Sequence, residues 1–157
     1  MNYIRITKTF LIKGDVSLCL NNKTLTLDHC FYVQNGGSLT ICDCGGNGKI
    51  NDVYDETSSL TPCIQLYGDS DMTVYGGTIN GVSYDAIYCN TTGDLRIFGG
   101  KITGRVDGIN IRNLNDLVVT SGAITGTSGD GIICENSGTF RNITISGGNI
   151  EGKTCGV

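Results

Sequence analysis

The chain has 157 residues, 39% of them hydrophobic and 17% charged, with 24 glycines, one proline and no tryptophan. This length holds a single domain with a real core, the apolar share excludes a disordered chain, and no apolar run approaches the ~18 residues of a membrane span. Eleven basic against fifteen acidic residues leave a net charge of −4, which argues against a nucleic-acid or anionic-membrane partner.

From the start, Met1 to Phe10 alternates apolar and polar residues without a long apolar stretch, so it reads as a strand and not as a signal peptide. An exported protein with this sequence would be a domain of something longer. Phe10 and Ile12 return as Phe31 and Val33, and Leu18 returns as Leu39, one repeat period further along. Ser38-Leu-Thr-Ile41 then opens a clear repeat, continued by Asp71-Met-Thr-Val74, Asp94-Leu-Arg-Ile97, Asp116-Leu-Val-Val119 and Asn142-Ile-Thr-Ile145. An insertion at 51–62 lengthens the step from Leu39 to Met72, while the steps from Met72 to Leu95, Leu117 and Ile143 are nearly even. After each of the last four segments comes a glycine turn and one more apolar position, as in Phe98-Gly-Gly-Lys-Ile-Thr-Gly104. A further apolar pair completes each unit: Phe31/Val33, Ile64/Leu66, Ile87/Cys89, Ile109/Ile111 and Ile132/Cys134.

A hairpin would bring its next strand back within a few residues, in the opposite sense. Here the same strand type returns once per ~22 residues in the same sense, which is the coil of a parallel β-helix with strands stacked ~4.8 Å apart. The expectation is an all-β, right-handed, single-stranded parallel β-helix of five to six coils, one domain over 1–157. It ends mid-coil at Val157 without an evident cap, as a solenoid trimmed from a longer one would, and open ends invite end-to-end pairing with another copy. Asn35, Thr91, Asn113 and Asn136 fall at one position of successive coils and predict an amide ladder, interrupted at Gly68.

Two carboxylate columns also emerge. Asp85, Asp107 and Asp130 precede the third strand of successive coils, and Asp71, Asp94 and Asp116 precede the first. Stacked ~4.8 Å apart, such groups match the spacing of a retaining glycosidase pair or could attract Ca2+. The competing reading is turn capping, because Asp at a strand start bonds nearby backbone N–H groups.

Asp15-Val-Ser-Leu-Cys-Leu-Asn-Asn-Lys-Thr-Leu-Thr-Leu27, Gly36-Gly-Ser-Leu-Thr-Ile-Cys-Asp43 and Gly46-Asn-Gly-Lys-Ile50 resemble the opening of bacterial surface β-helix repeat proteins. These belong to the pectate-lyase-like superfold and are often adhesin-like or carbohydrate-binding. The resemblance implies a surface or secreted module within a longer protein, with a glycan or host-surface partner. For a pectin hydrolase it implies Asn-Thr-Asp, Asp-Asp, Gly-His-Gly and Arg-Ile-Lys motifs, and the sequence has none of them. The calcium carboxylates and basic residue of a lyase are not convincingly met either.

Outward positions offer a binding surface instead. Tyr75 and Phe98 stack in adjacent coils of the first strand, and Tyr32 and Tyr88 share the outward column of the third with Gln65, Asn110 and Ile133. Aromatic rings with polar neighbours suit a sugar, although cross-strand pairing alone would also explain them. Of the eight cysteines, Cys89 and Cys134 are core filler two coils apart. Cys30 and Cys63 occupy equivalent positions where a bridge is allowed, and Cys19, Cys42 and Cys44 face outward. No zinc spacing is complete, so no metal and no cofactor are expected beyond the Ca2+ alternative. The favoured expectation is a non-catalytic glycan-binding or adhesion module. The alternatives are a lyase or hydrolase fragment using the aspartate columns and a self-assembling structural solenoid.

Overall fold

A computed structural model describes residues 3–53 and 60–157; most of the predicted insertion loop, 54–59, lies outside the described residues. Every described element is a strand, and every strand pair is parallel. The chain is an all-β parallel solenoid of about six turns.

One face is a seven-stranded sheet of β1 (Tyr3–Ile6), β4 (Thr24–Leu27), β7 (Lys49–Asp52), β10 (Thr78–Gly81), β13 (Lys101–Gly104), β15 (Ala123–Gly126) and β17 (Asn149–Gly152). A second column holds β2 (Phe10–Ile12), β5 (Phe31–Val33), β8 (Ile64–Gly68) and β11 (Ile87–Thr91), and a third holds β3 (Asp15–Cys19), β6 (Ser38–Cys42), β9 (Asp71–Val74) and β12 (Leu95–Ile97). In the last two coils β14 (Ile109–Val119) and β16 (Ile132–Ile145) run through both columns without a break. Three separate strands per coil were expected there. After β5 and β8 the chain turns that corner with positive φ at Asn35, Gly36 and Gly68 (55°, 74° and 74°), whereas no residue between Ile109 and Val119 has positive φ.

Alternation sends one residue in two inward. Ile50, Ile79 and Ile102 are fully buried in one column, Ile64, Ile87 and Ile109 in the next, and Met72, Leu95 and Leu117 in the third. Burying such a side chain stabilises by about 1.5–3 kcal/mol. The corner between the third and first columns is set by Gly77, Gly100, Gly122 and Gly148, at φ 88°, 88°, 99° and 94°. A Cβ on Gly100 would lie 2.7 Å from the Gly77 carbonyl, so these coils close only with glycine.

Two registers differ from the spacing-based alignment. Leu18 pairs with Ile41, and Val16 with Leu39, so the first full step is longer than the interval from Leu18 to Leu39. The amide ladder is also shifted. A bulge between Cys89 and Asn90 pairs Asn90 with Asn113, whose Nδ2 donates to Asn90 Oδ1 at 2.6 Å. Thr91 instead turns inward and donates to the carbonyls of Gly68 and Ser70, while Asn136 is exposed.

Candidate functional site

Asp85, Asp107 and Asp130, which precede the strands of the second column, are capping groups. Asp85 Oδ1 accepts the Asp107 backbone N–H at 3.1 Å, Asp107 Oδ1 that of Asp130 at 2.7 Å, and Asp130 Oδ1 that of Cys155 at 2.9 Å. Each carboxylate thus ties its coil to the next. Asp85 is fully buried and Asp107 nearly so, with Asp130 half-buried. Burial, reinforced by the Asp107 charge, pushes Asp85 up to about 7. Burial also raises Asp107. A fully buried carboxyl such as Asp85 is out of reach of a polysaccharide.

Asp71, Asp94 and Asp116 are half-buried and do the same work at the start of the third column. Asp71 Oδ1 accepts the Asp94 N–H, Asp94 Oδ1 accepts the Asp116 N–H and the Asn115 amide, and Asp116 Oδ1 accepts the Asn142 amide. Arg96 occupies the second Asp94 oxygen at 2.5 Å. A Ca2+ ion at Asp94 would have to displace those bonds.

The aromatic positions assemble more richly than their spacing suggests. Tyr75 and Phe98 lie 5.4 Å apart with rings tilted by 30°, and Tyr75 keeps 57% exposure. Tyr32 and Tyr88 are two coils apart, separated by Gln65. Tyr67, two positions further along β8 on the same outward face, joins them: it stacks on Tyr32 at 4.9 Å and 15°, and meets Tyr88 at 5.9 Å and 46°. Sequence reasoning took one outward residue per coil and so missed Tyr67. The signal was the alternation continuing to the end of β8. Since stacked rings cover each other's faces, this row presents edges and hydroxyl groups outward. Tyr84, Thr61 and Pro62 complete a groove of about 260 Å³ against Gln65, Tyr67 and Tyr88. Arg112 sits beside Tyr88, its cationic form favoured by that hydroxyl and by Glu135, 4.0 Å away.

Further along the same strands lies a larger cavity of about 720 Å³, lined by Asn90, Asn113, Asn115, Thr139, Phe140 and Arg141 among others. Tyr88 and Asn90 both leave the outer face of β11, so tyrosines and amides follow one another across one sheet surface.

Folding also gathers three thiols. Cys19 and Cys42 are ladder partners across β3 and β6, and the Cys44 sulfur comes to 2.8 Å from that of Cys19. All three sulfurs lie within 4.8 Å of one another. Hydrogen bonds from Cys44 favour the Cys19 thiolate, while the neighbouring Cys19 pushes Cys44 up to about 11. Cys30 and Cys63 are buried free thiols, and Cys89 is buried as expected, two coils from a half-buried Cys134.

Set beside protein-family models, curated proteins and solved structures, the chain matches none of the three. Its class therefore rests on its own geometry: a parallel β-solenoid with capped coils and an aromatic, amide-rich outer face.

Proposed function

We propose that this protein is a non-catalytic β-helix module of a bacterial surface or secreted protein, of the pectate-lyase-like superfold, that binds glycan or mediates adhesion. The observation carrying this reading is the outward row Tyr32, Tyr67 and Tyr88 around Gln65, continued by the amides of Asn90 and Asn113. Sugar rings combine apolar C–H faces with many hydroxyls, and a shallow groove of tyrosine edges and amides supplies both kinds of contact. Tyr75 and Phe98 form a second, smaller patch at the end of the third column. The aspartate columns support a lyase or hydrolase reading less well, because their carboxylates already hold the backbone of neighbouring coils.

Affinity electrophoresis through gels containing neutral and acidic polysaccharides, backed by a glycan array, tests this. The native chain should be retarded by at least one glycan. Tyr67→Ala with Tyr88→Ala should weaken binding about tenfold, as expected for losing two aromatic contacts of ~0.5–1.5 kcal/mol each. Unchanged binding in that variant, or no retardation of the native chain by any glycan, would sink the reading. Retention in Tyr75→Ala with Phe98→Ala would confine the site to the tyrosine groove.

A further inference from the structure

We propose that Cys19, Cys42 and Cys44 form a three-thiolate site for a thiophilic d10 cation, Cu+ or Zn2+. This inference is independent of the glycan reading. The three sulfurs lie within 4.8 Å of one another, Cys19 reaching that point from one coil and Cys42 and Cys44 from the next. Cys19 and Cys42 leave the same outer face as register partners of adjacent coils, and the Leu20 N–H donates to the Cys42 carbonyl at 2.8 Å.

Cys44 is returned to them by a loop that the backbone itself holds. The Asp43 carboxylate accepts the N–H groups of Asn22, Gly45 and Gly48 at 3.0, 3.3 and 2.6 Å. Asn22 Oδ1 accepts the Asn47 N–H at 3.0 Å, and Asn21, Asn22 and Gly46 turn with positive φ. None of these bonds involves a thiol, so the placement of the sulfurs is built in and does not depend on their own pairing.

A Zn–S bond of ~2.3 Å sets sulfurs roughly 3.8 Å apart around a tetrahedral ion. The Cys19–Cys44 separation of 2.8 Å lies inside that value and the 4.8 Å outer limit of the group lies beyond it. Cys19 and Cys44 are exposed, so side-chain rotation alone can bring all three sulfurs to one centre. The donor set also selects the ion. Asp43 is committed to backbone N–H groups, and the group contains no histidine or carboxylate. An all-sulfur set favours Cu+ and Zn2+ over Ca2+ or Mg2+, which take oxygen. Three protein ligands leave one position of a tetrahedral ion open to water or to an outside ligand.

The test is anaerobic titration of the reduced, full-length chain. Zn2+ is followed by competition with a chromogenic chelator, Cu+ by competition with a Cu+-specific one, and Cd2+ serves as a probe of thiolate-to-metal charge transfer. One equivalent should bind. Cys44→Ser should weaken binding by about tenfold or more, the loss seen on disturbing a metal site. The triple Cys→Ser variant should abolish binding, and Cys155→Ser, at an exposed thiol outside the group, should leave it intact. Circular dichroism checks that the variants fold; if the triple variant does not, Cys44→Ser decides. Equal binding by the serine variants overturns the proposal, as does failure of the reduced native chain to bind. Recovery of a Cys19–Cys44 disulfide from protein purified with Zn2+ overturns it as well.

Discussion

Asp85 carries a conflict between geometry and charge. Its Oδ1 secures the next coil, yet its Oδ2 and the Asn110 Oδ1 are both buried without hydrogen-bond partners. Protonation at Oδ2 converts one orphaned acceptor into a donor, which suits a group held up at about 7. A carboxyl whose folded pKa exceeds its unfolded value binds its proton more tightly when folded. Its contribution to stability is therefore greatest at low pH and is lost as pH rises from the ordinary value of 3.8 through about 7. Asp52 and Asp107, both raised by burial, act in the same direction. Asp85→Asn keeps the carbonyl acceptor and removes the titration. It should leave stability at pH 4 nearly unchanged and raise it at pH 8 by on the order of 3 kcal/mol, as read from urea unfolding. An undiminished fall in stability across that range in the variant would show that Asp85 is not its source.

Among the elements, β14 stands apart because the Asn113 amide ties its corner to the coils on both sides. Asn113 donates to Asn90 and accepts the Thr139 N–H at 3.0 Å, linking three coils through one side chain. Asn113→Ala leaves that N–H and the Asn90 carbonyl without these partners. It should cost about 1–3 kcal/mol, with faster hydrogen exchange concentrated at Thr139 and along the β14–β16 seam. Uniform loss of protection over all coils would contradict such a local role. The same pairing lines the larger outer cavity, so the substitution also reports on whether glycan reaches past the tyrosines.

Across the whole molecule, each coil contacts only its neighbours, and stability is close to a sum of nearest-neighbour terms. The inward columns are sealed in the middle and open at both ends of the described coils. Leu95 and Leu117 are fully buried, whereas Phe10 is 45% exposed and Ile143 and Ile145 are 38% and 40% exposed. Apolar side chains beside unpaired strand edges favour stacking with another copy. The chain should accordingly self-associate as concentration rises, with light scattering as the measurement. A strictly monomeric protein at high concentration would remove end-to-end pairing from the list of its partners.

Most of the fold was legible because solenoid order is local: a regular repeat period, the glycine turns of the later coils and alternation within each strand place most inward residues in their columns. Leu95, Leu117 and Ile143 could be aligned from their spacing alone, and the ladder pairs them in that order. Register at irregular coils was beyond that reasoning. A shifted first step sets Cys19 beside Cys42, and a bulge exchanges Thr91 for Asn90 in the amide ladder. Tyr67 joins two distant tyrosines diagonally across the sheet. Linear periodicity determines which face a residue occupies. Which side chains meet on that face depends on bulges, on loop lengths and on the hydrogen bonds that pin them, and these exist only once neighbouring coils have closed on one another.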